Sequence, residues 1–364
     1  MKALTSWQLY GLMFLFQLGT SVVFGLAGQA KQNAWITVLI SALLGMGLLW
    51  MYSRLFAANP GANWSDLLHL AFGRFAGAAL NVVYTFIFIY SAARDLRDVG
   101  ELTNTFLLPQ TPMPFTMFLF QLLVAYVCYA GVPRMGQMAE LNVPVILFFF
   151  AVEIALLVGS GHTRLSLLLP VADKWRPILT SAIPGSISVP YAEAFAFATF
   201  WTMMKSPAQF RRMAVLSAAS AGGVLMILDL LAVSTIGPEI FSRSFFPLMT
   251  TFHMVNIGDF VQNIDPLIVT NYMVGVLFKV SVFTYAACAM ISGLWKVPGH
   301  KAAAIPVSIL TLLFALYMAE NLSSHLFTGH QWATWVIFPP FFIVMPMLVL
   351  LILKIKTAAG KGGG

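Results

Sequence analysis

Glu193, Lys279, Glu153 and Asp229 are ionisable side chains set inside long apolar runs. A charge near the centre of a bilayer costs roughly 2.5–3.5 kcal/mol on insertion scales, so each must face a cavity, meet a counter-charge or stay neutral. Glu193 follows Pro184-Gly185-Ser186-Ile187-Ser188-Val189-Pro190, where both prolines remove a backbone donor. It can bind a ligand amine, titrate, or brace an unwound backbone. Lys279 suits a pairing with Glu153 or Asp229, as part of a charge relay with Glu193, or it can snorkel. A second constellation is Gly19-Thr20-Ser21-Val22-Val23-Phe24-Gly25. Each glycine weakens a helix interior by about 1 kcal/mol against alanine. Amides freed by unwinding here need an acceptor, and a carboxylate-bearing ligand supplies one, helped by the half-helix dipole. The same small residues also suit close helix packing, and the segment alone leaves both readings open.

Arg94, Asp95, Arg97, Asp98 and Glu101 form a third group. The spacing lets Arg94 pair with Asp98 and Arg97 with Glu101 along one helix face. Charges that close an apolar run read as a solvated helix end, with Arg94 and Tyr90, one turn earlier, looking into a vestibule. Other chemistries have no support. Cys128 and Cys288 lie in apolar runs and the six histidines are scattered, without zinc-type spacing. No phosphate-binding loop, metalloprotease motif or nucleophile elbow occurs. No enzyme activity and no cofactor is expected.

These residues are carried by elements that a membrane must surround. Apolar residues make up 59% of the 364 positions and charged residues 9%, against about a quarter charged in soluble domains. Runs of spanning length predict about ten helices: Trp7 to Gln29, Trp35 to Ala57, Ala76 to Leu102, Phe115 to Ala130, Leu141 to Gly159, Ile183 to Met204, Met213 to Ile236, Pro266 to Leu294, Ala303 to Ala319 and Trp332 to Leu353. Gly25 to Ala30 also has the small residues of a signal-peptide cleavage site, but the apolar stretch is long for one.

The net charge of +7 comes from single basic residues between apolar runs, which argues against nucleic acid as a partner and for membrane lipid. With the N-terminus inside, twelve Lys and Arg (Lys2 and Lys296 among them) face inward and seven outward, so both termini are expected in the cytoplasm. Trp64 to Phe72, with Ser65 as helix cap, is expected along the inner interface. Pro238 to Asn263 is expected as short helices forming an outer lid. The chain reads as one membrane domain, 1–364, of two repeats, about 7–160 and 182–353, with a flexible tail at 357–364. Interrupted segments at matching places in two halves point to inverted repeats around a shared binding site.

Gly19 to Leu26 resembles the unwound first helix of amino acid–polyamine–organocation transporters, with Ser21 where the second glycine usually stands. Tyr191-Ala192-Glu193 resembles the acidic position in the broken sixth helix of the same superfamily. Over nearly the whole chain, Arg94-Asp95-Leu96-Arg97-Asp98-Val99-Gly100-Glu101, Leu108-Pro109-Gln110-Thr111-Pro112, Asn263-Ile264-Asp265-Pro266 and Lys279-Val280-Ser281 look like the spore germination permease family. That resemblance implies an all-α, leucine-transporter-type fold of five plus five inverted helices, with helices one and six interrupted. It implies a nutrient germinant receptor subunit in a cell membrane or spore inner membrane, beside a membrane A subunit and a lipoprotein C subunit. It also implies a pocket for a small solute, an amino acid by family habit. Gly19, Thr20, Ser21, Val22, Phe24 and Gly25 would form the first-helix side, with the ligand carboxylate meeting the amides near Ser21 and Val22. Ser186, Ile187, Val189 and Glu193 would line the sixth-helix side, Tyr90 and Arg94 one wall, and Thr284 or Tyr285 another. The apolar residues among these suit a neutral amino acid. The fifth run has no lysine, which some transporters of the superfamily use for proton coupling. A proton-linked amino acid transporter and an ion or water conduit are the other readings.

Overall fold

Local signals start and stop the helices. α1 (Ser6–Leu18) opens on a capping box in which Thr5 accepts from the Gln8 amide and Gln8 reaches back to Thr5. α1 ends at Gly19 and resumes as the short α2 (Ser21–Phe24), which stops at Gly25. α3 (Ala34–Ala58) leads to α4 (Trp64–Phe106). The cap of α4 is Asn63, which accepts from the Asp66 amide; Ser65, expected as the cap, is buried and accepts from Asn81. Gly73, at φ +80°, bends α4 and separates its first turns from the spanning part. α5 (Met113–Ala130) and α6 (Val132–Gly159) meet at Gly131, whose φ of +86° only glycine adopts freely. α6 therefore begins well before Leu141 and takes in Arg134.

α7 (Trp175–Thr180) precedes the irregular sixth segment, which winds loosely over Ser181–Tyr191 and tightly over Ala192–Met203. α8 (Pro207–Ile236) follows, then the short α9 (Pro238–Arg243) and α10 (Pro247–His253) in the long connection expected to hold short helices. A minimal antiparallel pair, Asn256–Ile257 with Val261–Gln262, precedes α11 (Asp265–Trp295). α12 (Lys301–Tyr317), α13 (Leu322–Phe327), loosely wound turns over Thr328–Ile337 and Pro339–Val344, and α14 (Met345–Lys361) complete the chain.

The computed structural model describes residues 3–257, 261–262, 264–295 and 300–361. Lys2 and Lys296 of the charge count, Asn263 of its motif and the last three glycines of the expected tail lie outside them. Residues 357–361 of that tail continue α14 as helix. Among the described residues, eight helical segments are long and apolar enough to cross a membrane. Lys301–Tyr317 and the irregular 181–203 segment supply the remaining two of the ten expected.

The core lies where α1, α4, α8, α11 and the sixth segment meet. On the side of the termini it is aromatic: Phe16 packs on Phe197 and Phe283 with ring centroids 5.4 and 5.1 Å apart, and Phe56 stacks on Trp201 at 5.3 Å. The Leu4 amide donates to Met203 O, tying the start of α1 to the end of the sixth segment. Irregular backbone in lipid needs partners for its polar groups. Pro346 has no N–H to offer the Phe342 carbonyl, and the Tyr52 hydroxyl donates to it instead, while Tyr84 serves Phe341.

Candidate functional site

Ile183 and Val189 are the two extended residues of the sixth segment, and each precedes a proline. The ring of a proline excludes helical backbone from the residue before it, so this break follows from the sequence. Ser186, between them, donates from its hydroxyl to Leu26 O at 2.8 Å. The Leu26 amide donates to Asp229 Oδ2 at 3.3 Å. Helices one and six are thus joined just past their breaks, and Asp229 braces backbone. It does not pair with Lys279.

Beneath that junction lies a buried ion cluster. Arg94 Nη2 is 2.8 Å from Glu193 Oε1 and 3.0 Å from Asp95 Oδ1. Lys279 Nζ is 2.8 Å from Glu193 Oε2, 3.7 Å from Asp95 Oδ1 and 3.0 Å from Thr20 Oγ1. Gly19 makes room for the lysine stem: a Cβ there would sit 2.6 Å from Lys279 Cδ. The relay expected among Glu193, Lys279, Glu153 and Asp229 is therefore corrected. Only Glu193 and Lys279 meet, and Glu153 instead accepts from Asn271 at 2.7 Å, joining α6 to α11.

The charges of α4 are likewise not a solvated end. Arg94, Asp95, Arg97 and Asp98 are all buried. Asp98 does not pair with Arg94 but takes His325 Nε2 at 2.7 Å, and Arg97 pairs with Glu101 at 2.8 Å as the spacing predicts. Arg97 also donates to Ala315 O and Leu316 O, two of the carbonyls left open in the last turn of α12. Packing of α11 to α13 over this face is what buries it, and nothing in the local sequence signals that.

Above the cluster opens a cavity of about 440 Å³. Of the residues expected at a pocket, it is lined by Thr20, Ser21, Phe24, Gly25, Arg94, Ser186 and Val189. Gly19, Val22, Tyr90, Ile187, Glu193 and Thr284 are not on its wall. Glu193 lies one layer down, paired with Arg94, and Thr284 is wholly buried in α11. Tyr285 lies elsewhere, its ring 4.7 Å from that of His300 and its hydroxyl directed at Met203 Sδ, at the end of the bundle that carries the termini. The wall also holds polar residues outside the expected set: Asp98, His325, Ser181, Ser242 and Ser244 contribute to it. Asp98 and His325 were missed, because α13 reaches the cavity only through the tertiary fold. Ser242, in the last turn of α9, and Phe245, between α9 and α10, bring the long connection to the cavity wall. No cluster of three or more His, Cys, Asp or Glu side chains among the described residues is arranged to hold a metal ion.

The whole chain resembles solved carriers. It aligns with MhsT in complex with L-phenylalanine at a TM-score of 0.68 and 13% identity, covering 96% of this chain and 89% of that one. It aligns with Mhp1, a nucleobase-cation-symport-1 family transporter, at 0.69 and 14%, covering 95% and 80%. These likenesses show the fold, the leucine-transporter type with its inverted repeat. In sequence it is 25% identical over 346 residues to spore germination protein KB of Bacillus subtilis (strain 168), covering 95% of this chain and 93% of that protein. It is 23% identical over 340 residues to the putative spore germination protein YfkT of the same organism, covering 91% and 90%. The spore germination protein family matches residues 3–323. The chain belongs to that family of multi-pass membrane proteins, and is a receptor- or transporter-type protein rather than an enzyme.

Proposed function

We propose that the cavity takes a small zwitterionic solute, a neutral amino acid, and that the protein is the B-type subunit of a nutrient germinant receptor. The observation that carries this reading is the position of the cavity. It lies where the breaks of helices one and six meet, directly above a buried ion cluster that links α4, the sixth segment and α11. Its volume suits a ligand of that size. Ser21, Ser186 and Arg94 offer polar contacts to the carboxylate and amine, and Phe24 and Val189 offer an apolar wall. A solute that binds one conformer better than another shifts the balance between them, and that difference is the signal. Membrane A and lipoprotein C subunits would read it in the spore inner membrane, with both termini of this chain in the cytoplasm. Two inverted repeats, about 7–160 and 182–353, would place the breaks opposite each other.

Thermal unfolding of the purified protein with a panel of amino acids tests the binding step. A solute at 100 times its Kd stabilises the folded state by about 2.7 kcal/mol. One or a few neutral amino acids are expected to raise the midpoint, and Ser21→Leu, which fills the cavity, is expected to abolish the rise. The absence of a shift with any amino acid, in the subunit alone and in the assembled receptor, would reject the reading. A proton-linked amino acid transporter is the second reading, favoured by buried acids paired with a lysine at the break. Net uptake by proteoliposomes holding this chain alone, driven by a pH gradient, would establish it.

A further inference from the structure

The buried cluster closes its own charge. Arg94 and Lys279 bring two positive charges and Asp95 and Glu193 two negative ones, and none of the four is more than 6% exposed. Neighbouring acids are engaged elsewhere: Asp98 with His325, Glu153 with Asn271, Asp229 with the Leu26 amide. The ammonium of Lys279 sits among oxygens from three elements, the Thr20 hydroxyl at the first break, Asp95 on α4 and Glu193 in the sixth segment. The Phe16 ring lies 5.9 Å beneath it. A hydroxyl and two carboxylates around one positive centre, with an aromatic face behind, is a site for a monovalent cation. Here the cation is covalently attached, its stem threaded past Gly19.

We propose that the Lys279 ammonium is a built-in counter-cation, filling the place that a free alkali cation would otherwise have to take between the two helix breaks. The protein then needs no co-bound sodium or potassium to fold or to hold its solute. Removing the ammonium leaves one uncompensated buried negative charge, a state that must recruit a cation. The space vacated by the side chain and its three oxygens then forms a site for sodium or a short alkylammonium.

The test is thermal unfolding of the solute-free full chain in detergent, in sodium, potassium or N-methylglucamine chloride at equal ionic strength. The wild type is expected to melt at one midpoint in all three. Lys279→Ala is expected to melt lower in N-methylglucamine chloride and to recover, with saturation, on addition of sodium chloride or n-butylammonium chloride. Lys279→Arg is expected to stay indifferent. A saturable rise of the wild-type midpoint with sodium would overturn the proposal, as would a Lys279→Ala variant that folds and ignores every cation. If Lys279→Ala does not fold, the double variant Lys279→Ala with Glu193→Gln, neutral again, is expected to fold and to ignore cations. Failure of both variants would overturn the proposal too. No solute enters these measurements, so they are independent of the amino-acid reading.

Discussion

The residues that matter most were visible as types before their partners were. An acid and a lysine in apolar runs had to be compensated, but the sequence offered Lys279 either Glu153 or Asp229 without choosing, and the four-residue spacing paired Arg94 with Asp98. Glu193 lies between Arg94 and Lys279 and touches both. Glu193→Ala should therefore leave two buried cations facing Asp95 alone and lower stability by about 3–5 kcal/mol, read from the unfolding midpoint in detergent. Arg94→Gln and Glu193→Gln together should lose less than the sum of the single losses, because the second change removes the partner that the first left stranded. Additive losses would show that the two side chains do not act as a pair.

Among the elements, the interrupted sixth segment is held by notches cut for it. Tyr191 is fully buried, and a Cβ on Gly45 of α3 would sit 2.4 Å from its ring. A Cβ on Gly222 of α8 would meet Ala42 at 2.5 Å and the Tyr191 hydroxyl at 2.8 Å. Gly45→Ala should cost about 1–3 kcal/mol through overpacking. Gly47→Ala, on the same helix with nothing within 4 Å, should be neutral or stabilising by up to about 1 kcal/mol. Unfolding midpoints of the two variants decide the matter. A second device joins α5, α6 and α12, where the His300 ring packs against Gly131. Burial holds the His300 imidazole below its ordinary range. The folded state then binds fewer protons than the unfolded one. The contribution of His300 is present above about pH 6.5 and is lost as the pH falls through the lowered folded value. The pH–stability profile of His300→Gln should be flatter than that of the wild type between about pH 7 and 5.

For the molecule as a whole, the consequence is access from one end. The cavity reaches the connections that hold α7, α9 and α10, while the aromatic layer from Phe16 to Trp201 and the Leu4–Met203 hydrogen bond close the end with the termini. The native thiols Cys128 and Cys288 are buried and give a low labelling background. Gly185 lines the cavity and has open space where a side chain would go. Gly185→Cys should react with a membrane-impermeant maleimide applied to the face opposite the termini, and ligand should protect it. Thr199→Cys, buried below the cluster, should stay unlabelled from either face. Labelling of Thr199→Cys from the face of the termini would mean that this end also opens.

Composition alone determined the membrane setting, since apolar runs of this length have no other solvent to enter. Local chemistry determined the breaks: prolines make Ile183 and Val189 extended, and Gly19 and Gly25 release helix one. What the tertiary structure decided was which charges meet. Arg94, Glu193 and Lys279 stand far apart in the chain, and their pairing depends on how α4, the sixth segment and α11 cross. A buried charge states only that it needs a partner. The choice among several acids of equal chemistry is made by distances that no local pattern encodes, as is the burial of the α4 charges beneath α12 and α13.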